Sequence, residues 1–428
     1  MLELLDLRER RERLEPRRLE FDSSVIQTVG AIIQRVRDEG DECLLDLARR
    51  YDGAELRERG LVAAQEEFRS AQRALPDELR RAIDALVRRL GQLHARQLPR
   101  EWSAERDGVR FGEIVRPIRA AGCYVPGGRA AYPSSVAMTV VPAVTAGVED
   151  IVVCTPAGAG GDVPPAVLYA AARAGATRVV KTGGAQAIAA LAFGTASVPA
   201  VDRVVGPGNA YVTEAKRQVN GLVGIDGLAG PSELTIVADD RADAELIAID
   251  LVAQAEHDPD ASTTLVTTDL DLVERVGKAL DVQVAAAGRR DIVEQALRHN
   301  RAVLVADEEH AAQAVDDLAA EHLQVLLEEP RGFVGRVRNA GAIFLGPWTA
   351  VPFGDYGVAS NHVLPTGGTA RFASGLRAAD FVTVTSVVEM NENAARALAP
   401  EVAAIARDEG LVGHARSVEV RAARREGP

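Results

Sequence analysis

DIVVCTP (residues 150–156), TRVVKT (177–182) and DRVVGPG (202–208) are the runs whose reading decides the fold. Each is short and valine-rich, and each ends in a turn containing glycine or proline. Runs that are apolar on both faces suit the strands of a parallel sheet with helices on either side. The intervening residues 135–147, 164–174 and 186–193 have helical length and composition, so residues 122–231 read as an α/β unit. Three turns follow strand ends: YVPGG (124–128), TGGAQ (182–186) and GPGN (206–209). Ligands of open α/β sheets gather at strand C-termini, and glycine lets a phosphate or ribose approach the backbone. No GxGxxG fingerprint is present, and each turn taken alone reads equally well as plain architecture.

A second α/β run begins at residue 233, with strands LTIVAD (234–239), TTLVTTD (263–269), AVLVAD (302–307), LQVLLE (323–328) and AIFLG (342–346). Two such units place the chemistry in the cleft between them. The opening helix of this run is AELIAIDLVAQAEHD (244–258), with Asp243 at the N-cap position and Pro259 as its stop. Leu246, Ile249 and Ala253, with Ile247, Leu251 and Ala255 beside them, predict a core-facing stripe. Gln254 and His257 are three apart, which puts an amide oxygen and an imidazole one turn apart on one face, half of a metal site. The plainer reading is two polar side chains bonding water at a helix end.

Outside these runs, residues 1–22 form a charged arm that is expected to lie on another part of the protein or on a second subunit. Residues 24–51 and 63–97 read as helical, with Val25, Val29, Ile32, Ile33 and Val36 marking a core stripe. Strands are expected after Val109, and an irregular then helical tail after Arg371. At 428 residues, 47% hydrophobic and 26% charged, the chain is expected to form more than one globular domain. A net charge of −13 argues against a nucleic-acid or anionic-membrane partner. The N-terminus is too charged for a signal peptide, which makes the cytoplasm the expected location. Cys43, Cys123 and Cys154 lack metal or disulfide spacing and read as buried thiols.

Seven histidines carry most of the chemical signal. Glu321-His322 places an acid beside an imidazole at an element boundary, able to supply two proton-transfer groups to one cleft. Asp355 and His362 fall in a polar, glycine-rich loop, where Asp355 suits a hard ligand, an orienting carboxylate or an Asx turn. Glu409 and His414 lie in the tail, while His94, His299 and His310 read as surface residues. Gln254, His257, Asp355 and one further histidine make a mixed nitrogen and oxygen set suited to Zn²⁺ with open positions.

These residues sit in segments that together resemble the histidinol dehydrogenase family: GCYVPGGRAAYPSSVAM, TGGAQAIAALAFGT, VDRVVGPGNAYVTEAKRQV, AGPSELTIVAD, AQAEHDPDA, AEHLQ, GDYGVASNHVLPTGGTARF and EGLVGHARSVEVR, in the family's order. The resemblance implies an NAD-linked, zinc-dependent homodimer that oxidises L-histidinol to L-histidine through bound histidinaldehyde with two NAD. It implies zinc ligands at Gln254, His257 and Asp355, with His414 supplied by the partner subunit. It implies acid–base roles for Glu321 and His322, and substrate contacts at Ser232, His322, Asp355 and Glu409 along with the metal ligands. Tyr124, Gln186 and Asn209 match the NAD positions. The implied fold is two Rossmann-like α/β globules with parallel-sheet character. Residues 23–121 and 233–371 would form the metal and catalytic globule, 122–232 the NAD side, 1–22 an arm, and 372–428 a tail packing across the dimer. Ala320, Gly413, residues 357–360 and residues 382–385 depart from the family pattern without removing a donor atom. A zinc hydrolase using Glu321 as base, or a dinucleotide-binding scaffold without turnover, are the other readings of the same residues.

Overall fold

A computed structural model describes residues 2–10, 12–127, 131–358 and 360–424. Gly128 of the first turn and Ala359 of the aspartate loop lie outside the described residues. In chain order the strands are β1 (Glu3–Asp6), β2 (Trp102–Arg106), β3 (Val109–Pro117), β4 (Ala120–Tyr124), β5 (Asp150–Thr155), β6 (Arg178–Lys181), β7 (Arg203–Val205), β8 (Gly224–Ile225), β9 (Glu233–Ala238), β10 (Ser262–Thr267), β11 (Asn300–Leu304), β12 (His322–Leu326), β13 (Ala342–Leu345) and β14 (Val382–Met390). The chain divides into two compact units, residues 1–97 with 118–381, and residues 98–117 with 382–428.

The first unit holds two sheets whose strand pairs all run parallel. One has the order β6-β5-β4-β7-β8 and the other β1-β11-β10-β9-β12-β13. Successive strand side chains point to opposite faces, and here both faces are covered. Val152, Cys154 and Val180 join one cluster on the five-strand sheet, while Ile151, Val153 and Val179 join the other. Leu265 and Val266 divide the six-strand sheet in the same way. All three cysteines are free and buried.

Asp22 caps the helix Ser23–Glu39 by accepting from Ser24 N at 2.7 Å, and Val29, Ile32, Ile33 and Val36 are its buried stripe. That stripe and helix Asp41–Leu47 pack on one face of the five-strand sheet, while Ile83, Leu86 and Leu90 of helix Asp77–His94 cover the other. Grouping residues 23–121 with the six-strand sheet therefore does not describe their packing. An amphipathic stripe requires an apolar surface to cover but carries no record of which sheet offers it. The N-terminal arm also has a definite place: β1 pairs with β11 on the edge of the six-strand sheet, and Leu7 and Leu14 are buried there.

The second unit is an antiparallel sheet, β14-β3-β2, with helices Glu392–Asp408 and Val412–Ala423 joined through Gly410. Ala403, Ala406 and Ala415 form the small core between the helices. Residues 382–385, expected to be irregular, begin β14, because Val382-Thr-Val-Thr alternates and β3 supplies the ladder that a lone strand lacks.

Candidate active site

Catalytic candidates collect at the N-terminal ends of β9 and β12, which are hydrogen-bonded neighbours with His322 opposite Leu234. His322 is the first residue of β12 and is 2% exposed. Its Nδ1 lies 3.1 Å from the carbonyl oxygen of Glu233, an atom that can only accept, so Nδ1 carries the proton. The opposite nitrogen, Nε2, is buried and makes no hydrogen bond, with the nearer oxygen of Asp355 at 3.7 Å. Glu321 precedes the strand, also buried, and its Oε2 accepts from Glu233 N at 3.0 Å. Glu233, which sequence reading did not single out, thus holds both members of the acid–base pair through its backbone. Its own carboxylate accepts from Gly367 N at 3.2 Å.

Burial and the neighbouring charges set the protonation of this pair. Burial pushes Glu321 up to about 7 against the pull of His322, the Glu233 amide and the Ser232 side chain. For His322 burial acts downward, but the charges of Glu321 and Asp355 and the Glu233 carbonyl outweigh it and raise the imidazole to about 9. Burial also lifts Glu233, to about 8, with the charge of Glu321 adding to the effect. Asp355 is held below the usual carboxylate range: burial would raise it, and the imidazoles of His322, His257 and His362 more than compensate.

Asp355 ends the short helix Val351–Asp355 instead of lying in an open loop. Its carboxylate sits between two imidazoles, Oδ2 being 4.0 Å from His257 Nε2 and Oδ1 3.7 Å from His322 Nε2. His257 stands just past helix Ala244–Ala255, in the turn whose amide bonds back to Gln254 O at 3.2 Å. Asp243 caps this helix as expected, yet the buried stripe is Ile247, Ala248, Leu251, Val252 and Ala255, with Asp250 and Gln254. Leu246 and Ile249 are 38% and 42% exposed, because one side of the helix covers the sheet and only that side needs to be apolar. Gln254 is 2% exposed and its Nε2 has no partner.

Among the described residues, no group of three or more His, Cys, Asp or Glu side chains is arranged to hold a metal ion. The donors that do meet are an imidazole and a carboxylate, with a buried amide one turn before the imidazole. Two ligands of one tetrahedral zinc lie about 3.4 Å apart. The 4.0 Å between His257 and Asp355 is within a small side-chain movement of that value. The donor chemistry fits a borderline divalent ion.

His362 connects this cluster to the other sheet. Its Nδ1 lies 3.0 Å from Asp355 O, and its Nε2 lies 3.3 Å from the hydroxyl of Ser135, in the first turn of the helix Pro133–Ala146 that follows β4. The C-terminal edge of the five-strand sheet therefore adjoins the aspartate. On that edge Tyr124 ends β4, and its buried hydroxyl accepts from Gly184 N at 3.1 Å; burial pushes it up to about 12. Gln186 is buried in the first turn of helix Gly184–Phe193. Asn209 caps helix Ala210–Val219, accepting from Tyr211 N and Val212 N. The buried hydroxyl of Thr182 has no partner, an open hydrogen-bonding position at the expected dinucleotide turn.

Glu409 and His414 belong to the second unit, Glu409 as the C-cap of helix Glu392–Asp408 and His414 in the first turn of helix Val412–Ala423, and both are exposed. His94 and His310, read as surface residues, are 0% and 2% exposed. Charged sequence neighbours describe a helix's outer face and say nothing of the inner one.

The profile of the histidinol dehydrogenase family matches residues 15–422. Histidinol dehydrogenase of Halalkalibacterium halodurans is 45% identical over 395 residues, covering 92% of this chain and 93% of the relative. That of Moorella thermoacetica is 44% identical over 423 residues, 98% and 100% of the two chains. The crystal structure of histidinol dehydrogenase from Elizabethkingia anophelis superposes with a TM-score of 0.94 at 31% identity, covering 98% of each chain. With its length, its fold and its site segments all matched, the chain belongs to the histidinol dehydrogenase family.

Proposed function

We propose that this chain is a zinc- and NAD-dependent L-histidinol dehydrogenase, a cytoplasmic homodimer that takes L-histidinol to L-histidine through bound histidinaldehyde, reducing two NAD. The observation that carries the reading is the anchoring of His322, whose Nδ1 proton is held by the Glu233 carbonyl so that Nε2, buried without a partner, is the nitrogen that gives up its proton and then accepts one from substrate.

His322 takes the hydroxyl proton at Nε2 as hydride leaves the carbinol carbon, giving the aldehyde. Water then adds to that aldehyde, with Glu321 and His322 removing its proton, and loss of a second hydride from the hydrate gives the carboxylate. Glu321 suits this step because burial places it near neutrality, where a carboxylate can take and return a proton. Ser232 beside Glu321, together with Asp355 and Glu409, would contact substrate. The closed, water-poor surroundings of His322 and Glu321 limit escape of the aldehyde.

Gln254, His257 and Asp355, with His414 of the partner subunit, would hold zinc. When bound, the ion would anchor the substrate's imidazole and amine and offset the charge of Asp355, easing proton loss from His322. Tyr124, Gln186 and Asn209 would hold the dinucleotide, which supplies the hydride acceptor. Exposed apolar side chains in the second unit, among them Val388, Ile405 and Val412, support a covered face and hence the dimer. Mixing His414→Ala with His322→Ala subunits is expected to regain activity, as each heterodimer then contains one intact site. The test of the whole reading is stoichiometric: two NADH per histidinol consumed, abolished by chelator and restored by zinc. Zinc-independent hydrolysis, or one NADH per histidinol with free aldehyde, would sink it.

A further inference from the structure

Outside the site, the most deeply buried ion pair among the described residues with no catalytic assignment joins Lys216, on helix Ala210–Val219, to Asp226, just after β8. Their side chains are 2% and 7% exposed. Lys216 Nζ donates to Gly206 O at 2.9 Å, and Gly206 N donates to Asp226 Oδ2 at 2.7 Å. The other oxygen, Asp226 Oδ1, accepts from Gly227 N at 2.9 Å. Both backbone polar groups of one residue are thus gripped by a buried pair of opposite charges.

Gly206 opens the GPGN turn after β7. It has φ +118°, and a Cβ there would stand 2.1 Å from the carbonyl oxygen of Tyr124. The grip therefore sets how the GPGN turn meets the backbone of Tyr124 and where Asn209 begins its helix. Asp226 also starts residues 226–232, the connector to β9, which Thr213 braces by donating to Ala229 O at 2.8 Å. A buried ion pair contributes little net stability against packed apolar side chains of the same volume, because two charges must be taken out of water. What the pair does supply is a fixed direction at Gly206.

We propose that Lys216 and Asp226 are positioning residues for dinucleotide binding, holding the GPGN turn against Tyr124 while touching no reacting atom. The inference rests on the NAD reading above.

The test replaces both charges, Lys216→Met with Asp226→Leu, since removing one alone strands the other. The double variant is expected to fold, with the KM for NAD raised about tenfold or more. Its KM for histidinol, its kcat at saturating NAD and its zinc content should stay within about twofold of wild type. A folded double variant with unmoved KM for NAD, or with both KM values raised alike, overturns the positioning role. Amide exchange in the wild-type enzyme needs no variant: Gly206 N–H is expected to be protected before NAD is added. An amide that exchanges freely until NAD binds overturns a preformed grip. A wild-type chain that fails to reduce NAD with histidinol overturns the proposal together with the reading under it, whereas an unmoved KM in an active background removes the positioning role alone.

Discussion

Counted along the chain from its own first strand, the five-strand sheet runs 3-2-1-4-5, and the last five strands of the six-strand sheet repeat that order as β11-β10-β9-β12-β13. The two sheets nevertheless present opposite edges to the site. The first offers the C-terminal ends of β4, β6 and β7, the last two leading into the N-termini of helices Gly184–Phe193 and Ala210–Val219. The second offers the N-terminal ends of β9 and β12, with Glu233, Glu321 and His322, and the C-terminal end of helix Ala244–Ala255 with Gln254 and His257. Helix N-termini favour anions and helix C-termini favour cations. On the proposed reading, one strand order would serve a pyrophosphate at one edge and a metal with titrating side chains at the other. On the same reading, the rule that ligands lie at strand C-termini would hold for the first sheet and not for the second, where side chains would carry the chemistry instead of backbone amides.

If the edges divide the work in this way, substitutions should separate by kinetic constant. His322→Ala is expected to lower kcat by about a thousandfold or more while the KM for NAD changes little. Steady-state NADH formation checks this, and a KM for NAD that rose in step with the loss of kcat would erase the distinction between edges. Glu321→Gln is expected to slow aldehyde oxidation by about a hundredfold and alcohol oxidation much less. Single-turnover reactions started from histidinol and from histidinaldehyde read the two steps apart, and equal slowing would remove Glu321 from the water step.

On the other edge, Tyr124→Phe removes the hydroxyl that accepts from Gly184 N and is expected to raise the KM for NAD about tenfold with kcat nearly kept. A change in kcat alone would move Tyr124 to the catalytic side of the comparison. The smallest effect should come from Asp52, whose Oδ2 is buried without a partner and whose carboxyl burial pushes up to about 6. A raised folded value means that the folded chain takes up a proton between the unfolded value and about 6, so the ionised carboxylate costs stability above that range. Asp52→Asn is then expected to raise the unfolding midpoint by about 1–3 °C near pH 8, a gain that fades as pH falls toward 4. Melts at the two pH values would show it, and a gain independent of pH would mean that the effect is not linked to this titration.

The errors of sequence reading share one origin. Leu246 and Ile249 continue an apolar pattern, but only one side of their helix covers the sheet. Asp355 reads as loop because Gly354 and Gly357 flank it, although a short helix with Pro352 in its first turn runs there. Glu233 looks like the polar first residue of a strand. It gains its role because β9 lies beside β12 and brings its amide and carbonyl to Glu321 and His322 across 88 and 89 residues of chain.

By itself the sequence determined the local matters: the parallel-sheet strands from their apolar runs, the cap at Asp243, the free cysteines, and, through its motifs, the family. These follow from side-chain type and short spacing, which a chain carries before it folds. Only the tertiary structure decided which sheet the N-terminal helices cover, which edge of each sheet faces the site, and which proton His322 keeps. Those depend on strand neighbours and burial, and neither is a property of any short stretch of chain.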